Sequence, residues 1–211
     1  MKNKLSIRIL ILITAPLLFN CGGPAKNEND ASGNSESRGQ HYTIDTDQSV
    51  IAWKGSMLIG TNSHSGYIYI SKGQLMIDND ALVGGTATVD MNTMEENTHD
   101  KENGLIKHLK SSDFFDVEKF PIATIAITKA APSNNDVTKV TGNLTIKGIT
   151  HPVTFPSKIA VKDGVAKMSG RLVIDRTQWN VRYKSGKFYD LLADQTMSDS
   201  IAFDINIIAR K

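Results

Sequence analysis

From His41 to Lys211 the chain is written mostly in a period of two, and that alternation restricts its fold more than any other feature. Val140, Gly142, Leu144 and Ile146 alternate with Thr141, Asn143, Thr145 and Lys147, and Ile201, Phe203, Ile205 and Ile207 alternate with Ala202, Asp204 and Asn206. Successive side chains on a strand point to opposite faces, so each run presents one apolar and one polar face, as half-buried antiparallel strands do. Less regular runs of the same kind occupy Val50–Lys54, Tyr67–Ile70, Gln74–Ile77, Thr86–Met91, Ile122–Thr128, Pro152–Phe155, Lys158–Val161 and Ser169–Asp175. Turn formers separate them at Gly60-Thr61-Asn62, Asp78-Asn79-Asp80, Pro132 to Asp136, Lys147-Gly148 and Lys162-Asp163-Gly164. Many short strands at this spacing predict an all-β sandwich or barrel.

One stretch departs from the pattern. Between Asp100 and Ser111 the apolar residues Leu105, Ile106 and Leu109 stand at i, i+1 and i+4 among charged residues, which predicts a short amphipathic helix with Asp100 as its N-cap. A second helical stretch is expected through Phe188-Tyr189-Asp190-Leu191-Leu192. The expected architecture is an antiparallel barrel with one or two short helices at its ends.

The N-terminus is a different kind of sequence. Lys2, Lys4 and Arg8 precede an apolar run from Ile9 to Phe19, followed by Asn20-Cys21-Gly22. A basic segment, a short apolar segment and small residues before a cut mark an export signal over residues 1–20. The run is about half of the ~20 residues that a membrane-spanning helix needs. The cut leaves Cys21, the chain's one cysteine, as the first residue, and Leu18-Phe19-Asn20-Cys21 resembles the lipobox of bacterial lipoproteins, with Asn20 where that pattern has Gly or Ala. The alternative for a lone cysteine is a small buried apolar residue, yet no core-forming sequence surrounds this one. Residues 21–40 are polar, almost without apolar side chains, and read as a flexible tether that cannot bury enough surface to order itself. Residues 41–211 are one domain with room for a substantial core. The whole chain carries +2; the leader removes three cations and no acid, leaving −1, which gives no basic footprint for nucleic acid.

The run His108-Leu109-Lys110-Ser111-Ser112-Asp113-Phe114-Phe115-Asp116-Val117-Glu118-Lys119-Phe120-Pro121 resembles the "hLKSxDFFdvxxyP" signature of the YceI-like family of exported proteins. Tyr42-Thr43-Ile44-Asp45 with Ser49-Val50-Ile51 resembles that family's opening strand, Val140 to Val153 its "v.GdLtikGvtkpv" hairpin, and Ile174 to Val181 its "inRsdfgv" segment. The resemblance spans residues 41–211 and implies a lipocalin-like, eight-stranded antiparallel β-barrel that holds a long isoprenoid chain, such as a quinone tail or a polyprenyl phosphate, and needs no other cofactor. Eight strands leave an interior that side chains either fill or line around one slender ligand. Two departures stand out: Gln48-Ser49 where the family has His before Ser, and Gly66-Tyr67-Ile68 in place of "G-x-F".

Each candidate contact has a plainer structural alternative. Phe114 and Phe115 close the mouth of a lipid channel or belong to ordinary core, and Leu105, Ile106 and Leu109 line the cavity or pin the helix. Trp53 and Trp179 pack on an isoprenoid tail or on the core. Arg176 and Lys110 pair with a diphosphate or are structural cations. Small residues at Ala87, Ala123, Gly142 and Gly170 would leave room inside if they point inward. The five histidines, at 41, 64, 99, 108 and 151, have no metal-ligand spacing; His99-Asp100 with His108 and Asp113 comes nearest, and no metal site is expected. No nucleophile elbow or glycine-rich phosphate loop is present, so no enzyme is expected. The reading is an exported protein facing the periplasm or cell surface, partnered by an isoprenoid lipid and by a membrane through lipidated Cys21. A solidly packed interaction barrel and a hydrolase assembled from distant loops are the alternatives, and a homodimer stays open.

Overall fold

The computed structural model describes residues 39–134 and 136–211; the leader, Cys21 and the tether through residue 38 lie outside the described residues. Among the described residues nine strands follow one another: β1 (Gln40–Ile44), β2 (Val50–Ser56), β3 (Ser63–Asp78), β4 (Ala81–Glu96), β5 (Ile122–Pro132), β6 (Thr138–Ile146), β7 (Ile149–Lys162), β8 (Val165–Asp175) and β9 (Ser200–Arg210). Neighbours from β2 to β9 pair antiparallel in sequence order, and β9 returns to pair with β2. The result is a closed, eight-stranded antiparallel barrel. β1 adds no ninth stave, because β1 and β2 lie end to end between β3 and β9. The break between them is bridged by Ser49, whose Oγ donates to Ile208 O at 3.2 Å and accepts from Ile208 N at 3.0 Å.

Three two-residue hairpins have positive φ at both central residues: Asn79 and Asp80, Lys147 and Gly148, Asp163 and Gly164. That geometry matches the twist of the flanking strands and favours Asn, Asp and Gly. Two of these turns, with the β5–β6 loop and the start of β1, define the hairpin end of the barrel. The other end carries the long connections.

The β3–β4 pair is longer and more irregular than period two predicts. Ile70 pairs with Val89 but Lys72 with Thr88, so Ser71 is an extra residue, and the inward set changes from Ile68 and Ile70 to Leu75 and Ile77. The two strands expected at Tyr67–Ile70 and Gln74–Ile77 are therefore one, as are those at Pro152–Phe155 and Lys158–Val161 within β7. Nearer the opposite end, Tyr67 pairs with Glu95 and Tyr69 with Asp90, so Met91 to Met94 stand opposite Ile68 alone.

Helix α1 (Gly104–Lys110) lies within the expected segment but is capped by Asn103, not Asp100. Asn103 is extended, at φ −67° and ψ 167°, and its Oδ1 accepts from Ile106 N at 2.8 Å. Asp100 instead accepts from Glu102 N in a turn ahead of the helix. Phe188 to Leu192 is not helical either: Phe188 N and Tyr189 N both donate to Ser185 O, and Phe188, Tyr189 and Leu192 are exposed, with no apolar surface to bury a helical stripe. The second short helix is a 3-10 turn at Arg176–Trp179.

Between β7 and β8 the ladder runs only from Lys162↔Val165 to Ser157↔Gly170. Beyond it the two strands part. Trp179, 1% exposed, fills this seam, with His151 edge-on to its ring at 5.2 Å between centroids.

Candidate functional site

The hairpin half of the barrel is solid, filled by buried side chains such as Leu75, Ile77, Val140, Phe155, Met168 and Ile207. The other half encloses a cavity of about 340 Å³. Its wall takes Ile51, Trp53 and Gly55 from β2, Ile68 from β3, Val89, Met91 and Met94 from β4, and Ala123 and Ile125 from β5. Leu144 and Ile146 of β6, Leu172 of β8 and Ile201, Phe203 and Ile205 of β9 complete it. The excursion of β4 is what turns both Met91 and Met94 inward. Gly66 allows β3 and β4 to meet beside Trp53, since a Cβ there would run into the Glu95 carbonyl and the Trp53 ring.

A lid covers this cavity. Leu105 and Leu109 of α1 face into it, and the chain then doubles back through Phe115 N→Leu109 O and Val117 N→Lys110 O, which sets Phe114 and Phe115 beside the helix. Phe114 stands among Phe115, Tyr183 and His108, with ring centroids 6.3, 5.2 and 5.2 Å away. Lys147 Nζ donates to Phe114 O at 2.7 Å, tying the lid to the β6–β7 turn; burial lowers the Lys147 pKa against the pull of Asp116. Lid and rim also meet through Glu96, whose Oε2 accepts from Asn103 Nδ2 at 2.6 Å and whose Oε1 lies 3.5 Å from His64 Nδ1.

Glu95, the preceding residue, fastens the outer face. It is 2% exposed, accepts from Tyr69 Oη at 2.6 Å and bonds His99 Nδ1 at 2.6 Å. Burial would raise its pKa, but the Tyr69 and His99 hydrogen bonds win and hold it below the usual carboxylate value. The same bond to Glu95 pushes the Tyr69 phenol up to about 12.

Polar groups on the wall are few and sit at the lid side: Ser56, Asn62, Ser63 and His64 around the β2–β3 loop, Thr124 of β5, then Arg176 and Ser198. Arg176 is 1% exposed. Its Nε donates to Ser198 O at 3.0 Å and its Nη1 to Val181 O at 2.8 Å, while Nη2 lies 3.6 Å from Asp199 Oδ1. Burial lowers the guanidinium pKa against the opposing pull of Asp199 and Asp175.

Of the residues singled out from sequence, the fold gathers Leu105, Leu109, Phe114, Phe115, Trp53 and Arg176 on one cavity. Ile106 is fully buried beneath the helix, Trp179 fills the seam, and Lys110 is half-buried on α1; none of the three is on the wall. Cys21 lies outside the described residues. Of the four small residues, Ala123 lines the cavity and Ala87, Gly142 and Gly170 do not. Sequence reasoning missed Met57, Met91, Met94 and Met197, which lie among the aromatics and aliphatics of the wall. Four of the chain's seven methionines on one surface is a compositional signal, since unbranched thioethers suit a wall that adapts to its occupant. His108 lies 3.4 Å from Asp113, whereas His99 turns away to Glu95. Among the described residues no group of three or more His, Cys, Asp or Glu could hold a metal ion, and no helix is long and apolar enough to cross a membrane.

The YceI-like domain profile matches residues 42–209, nearly the whole barrel. The chain belongs to the YceI-like family. Among curated relatives it is similar to a UPF0312 protein of Enterobacter sp., 39% identical over 72 residues, and to protein YceI of Salmonella arizonae, 38% identical over 72 residues. Each match spans 34% of this chain and about a third, 35%, of the relative's length. Among solved structures the YceI-like barrel resembles BcnA of Burkholderia cenocepacia, with TM-score 0.64 and 22% identity over 79% of this chain and 99% of that one. It also resembles a polyisoprenoid-binding domain of Saccharophagus degradans, with TM-score 0.59 and 10% identity over 80% of this chain and 97% of that one. At these identities the structural likeness speaks for the fold.

Proposed function

We propose that this YceI-like protein is exported, anchored to a bacterial membrane through lipidated Cys21, and binds a polyisoprenoid or comparable long apolar lipid inside its barrel without catalysing a reaction. The observation that carries this reading is the cavity of about 340 Å³, walled by aliphatic, aromatic and methionine side chains and roofed by α1, Phe114 and Phe115. Its volume lies near the lower end of the ~300–1,000 Å³ usual for small-molecule sites, which suits one slender chain. Each methylene transferred from water into such a wall contributes about 0.8 kcal/mol, so a tail of a few isoprene units is enough for tight binding. The Saccharophagus degradans domain, described as polyisoprenoid-binding, supports the choice of ligand class. The chain joins the barrel at Gln40, at the hairpin end, which leaves the lid end clear of the tether's attachment point.

The test is native mass spectrometry, with lipid extraction, of residues 22–211 purified from a bacterial host. Among the described residues, the strand pairings that close the barrel and the core cluster lie within residues 40–211, so this portion carries the barrel's own fold. A stoichiometric isoprenoid adduct is expected. A clean unliganded mass that persists after incubation with isoprenoids overturns the proposal.

A further inference from the structure

Eight large apolar side chains are exposed among the described residues, and five of them, Leu58, Ile59, Phe188, Tyr189 and Leu192, lie on two neighbouring segments at the lid end. One segment is the β2–β3 loop, residues 57–62, and the other runs from the 3-10 turn to β9. Hydrogen bonds join them: Leu58 N donates to Thr196 O at 2.8 Å, and Thr196 Oγ1 donates to Leu192 O at 2.9 Å. An isolated bridge between Met57 and Met197 lies beside this contact. Both arms of the loop reach the cavity wall, Ser56 and Met57 before its tip and Asn62, Ser63 and His64 after it. Leu58 and Ile59 are off the wall and more than half exposed. The tip thus stands at the threshold of the cavity with two aliphatic side chains in solvent.

Residues 57–62 contain no charged side chain, and residues 182–199 carry Arg182, Lys184 and Lys187 against Asp190, Asp194 and Asp199. Burying the loop tip in an apolar phase therefore strips water from no charge. We propose that this face docks on a lipid bilayer, with Leu58 and Ile59 inserted among the acyl chains, so that a lipid passes between membrane and cavity without crossing water. The proposal rests on the reading above of an exported, membrane-tethered lipid binder. Grouped exposed apolar side chains mark such an interaction surface, and its hold on a bilayer scales with the apolar area buried. Tethering at Cys21 keeps that bilayer within reach. The 18 residues between Cys21 and Gln40 span at most about 60 Å when fully extended, whereas the 11 residues of β8 rise about 36 Å. Attachment at the hairpin end therefore still lets the lid end turn onto the membrane.

The experiment mixes residues 22–211 with vesicles of phosphatidylethanolamine and phosphatidylglycerol that carry geranylgeraniol, then sediments the vesicles. The protein in the pellet reads docking, and native mass spectrometry of the supernatant reads both geranylgeraniol loading and self-association. The unaltered protein is expected to co-sediment. The double variant Leu58→Asp, Ile59→Asp is expected to lower vesicle partitioning by at least about tenfold, because two aliphatic side chains no longer leave water. Its loading from vesicles is expected to slow in step, while loading from geranylgeraniol added in ethanol is unchanged, since neither residue lines the cavity. An unaltered protein that stays in the supernatant overturns the proposal, as does a folded double variant that partitions equally. A dimer that the double variant abolishes also overturns it, by making this face a contact between copies. Should the double variant not fold, Leu58→Trp decides: its added emission shifts to the blue on vesicles if the tip inserts, and an unshifted spectrum overturns the proposal. Loading by neither route overturns the lipid-binding reading itself, a result distinct from failure to dock.

Discussion

Trp179 Nε1 donates to the carbonyl oxygen of Leu144 at 3.2 Å, joining the 3-10 turn after β8 to β6 across the seam where β7 and β8 no longer pair. The indole does two jobs there: it fills the gap and supplies a bond that the strands do not. Trp179→Ala is expected to cost about 3–5 kcal/mol, the range for emptying a large buried aromatic site. Trp179→Phe keeps most of the packing, leaves the Leu144 carbonyl without its donor and is expected to cost about 1–3 kcal/mol. Urea unfolding curves measure both, and a Trp179→Phe variant as stable as the unaltered protein would show that the hydrogen bond contributes nothing.

Glu95 gives the barrel a pH dependence on both sides of neutrality. Its pKa is held below the unfolded value, so the stability it contributes is present above about pH 4.5 and lost as pH falls through the depressed folded value. Tyr69, raised from 10.0 to about 12, contributes stability that is complete below pH 10 and lost as pH climbs toward 12. Glu95→Gln, which keeps the shape and one acceptor oxygen, is expected to flatten both limbs in a plot of unfolding free energy against pH. A variant that keeps the full acid limb would place that dependence on other carboxylates.

The barrel was legible in the sequence because its hairpin turns need residues that tolerate positive φ, and Asn79, Asp80, Gly148 and Gly164 stand where such turns occur. Strand continuity was not. An extra residue at Ser71 reverses the alternation, so one strand reads as two, and Pro156 interrupts β7 on a stretch that β8 leaves unpaired, where a missing N–H breaks no bond on that edge. The hollow interior was only partly legible. Ala123 is small and lines the cavity, but Gly142 and Gly170 are small because backbone approaches them: a Cβ would lie 2.7 Å from Ala126 O at one and 3.0 Å from Pro156 O at the other. Leu105 and Leu109 were recognisable as one helical face, whereas the grouping of Met57 with Met197 depends on an isolated bridge between distant segments that no local pattern announces.

Lipidation of Cys21 rests on the leader and the lipobox-like segment before it. Cells labelled with palmitate are expected to incorporate the label into the unaltered chain and not into Cys21→Ser. The serine chain is also expected to retain residues 1–20, because the cut depends on the modified cysteine, and its intact mass reads this directly. Label on the serine variant would move the attachment elsewhere.

Ala123 offers the cleanest separation of lipid binding from folding. It sits on the cavity wall next to Thr124 and Ile125, and Ala123→Phe directs a ring into empty space in place of a methyl group. Overpacking a filled core costs about 1–3 kcal/mol, but here there is volume to receive the ring, so the variant is expected to unfold within about 1 kcal/mol of the unaltered protein. The ring occupies space that a tail would need, and retention of a bound isoprenoid is expected to fall by at least about tenfold, the equivalent of about 1.4 kcal/mol. Unfolding by urea and native mass spectrometry on the same preparation give the two readings. Undiminished binding in a stable Ala123→Phe protein would place the lipid outside the barrel and turn attention to the exposed Leu58, Ile59 and Leu192.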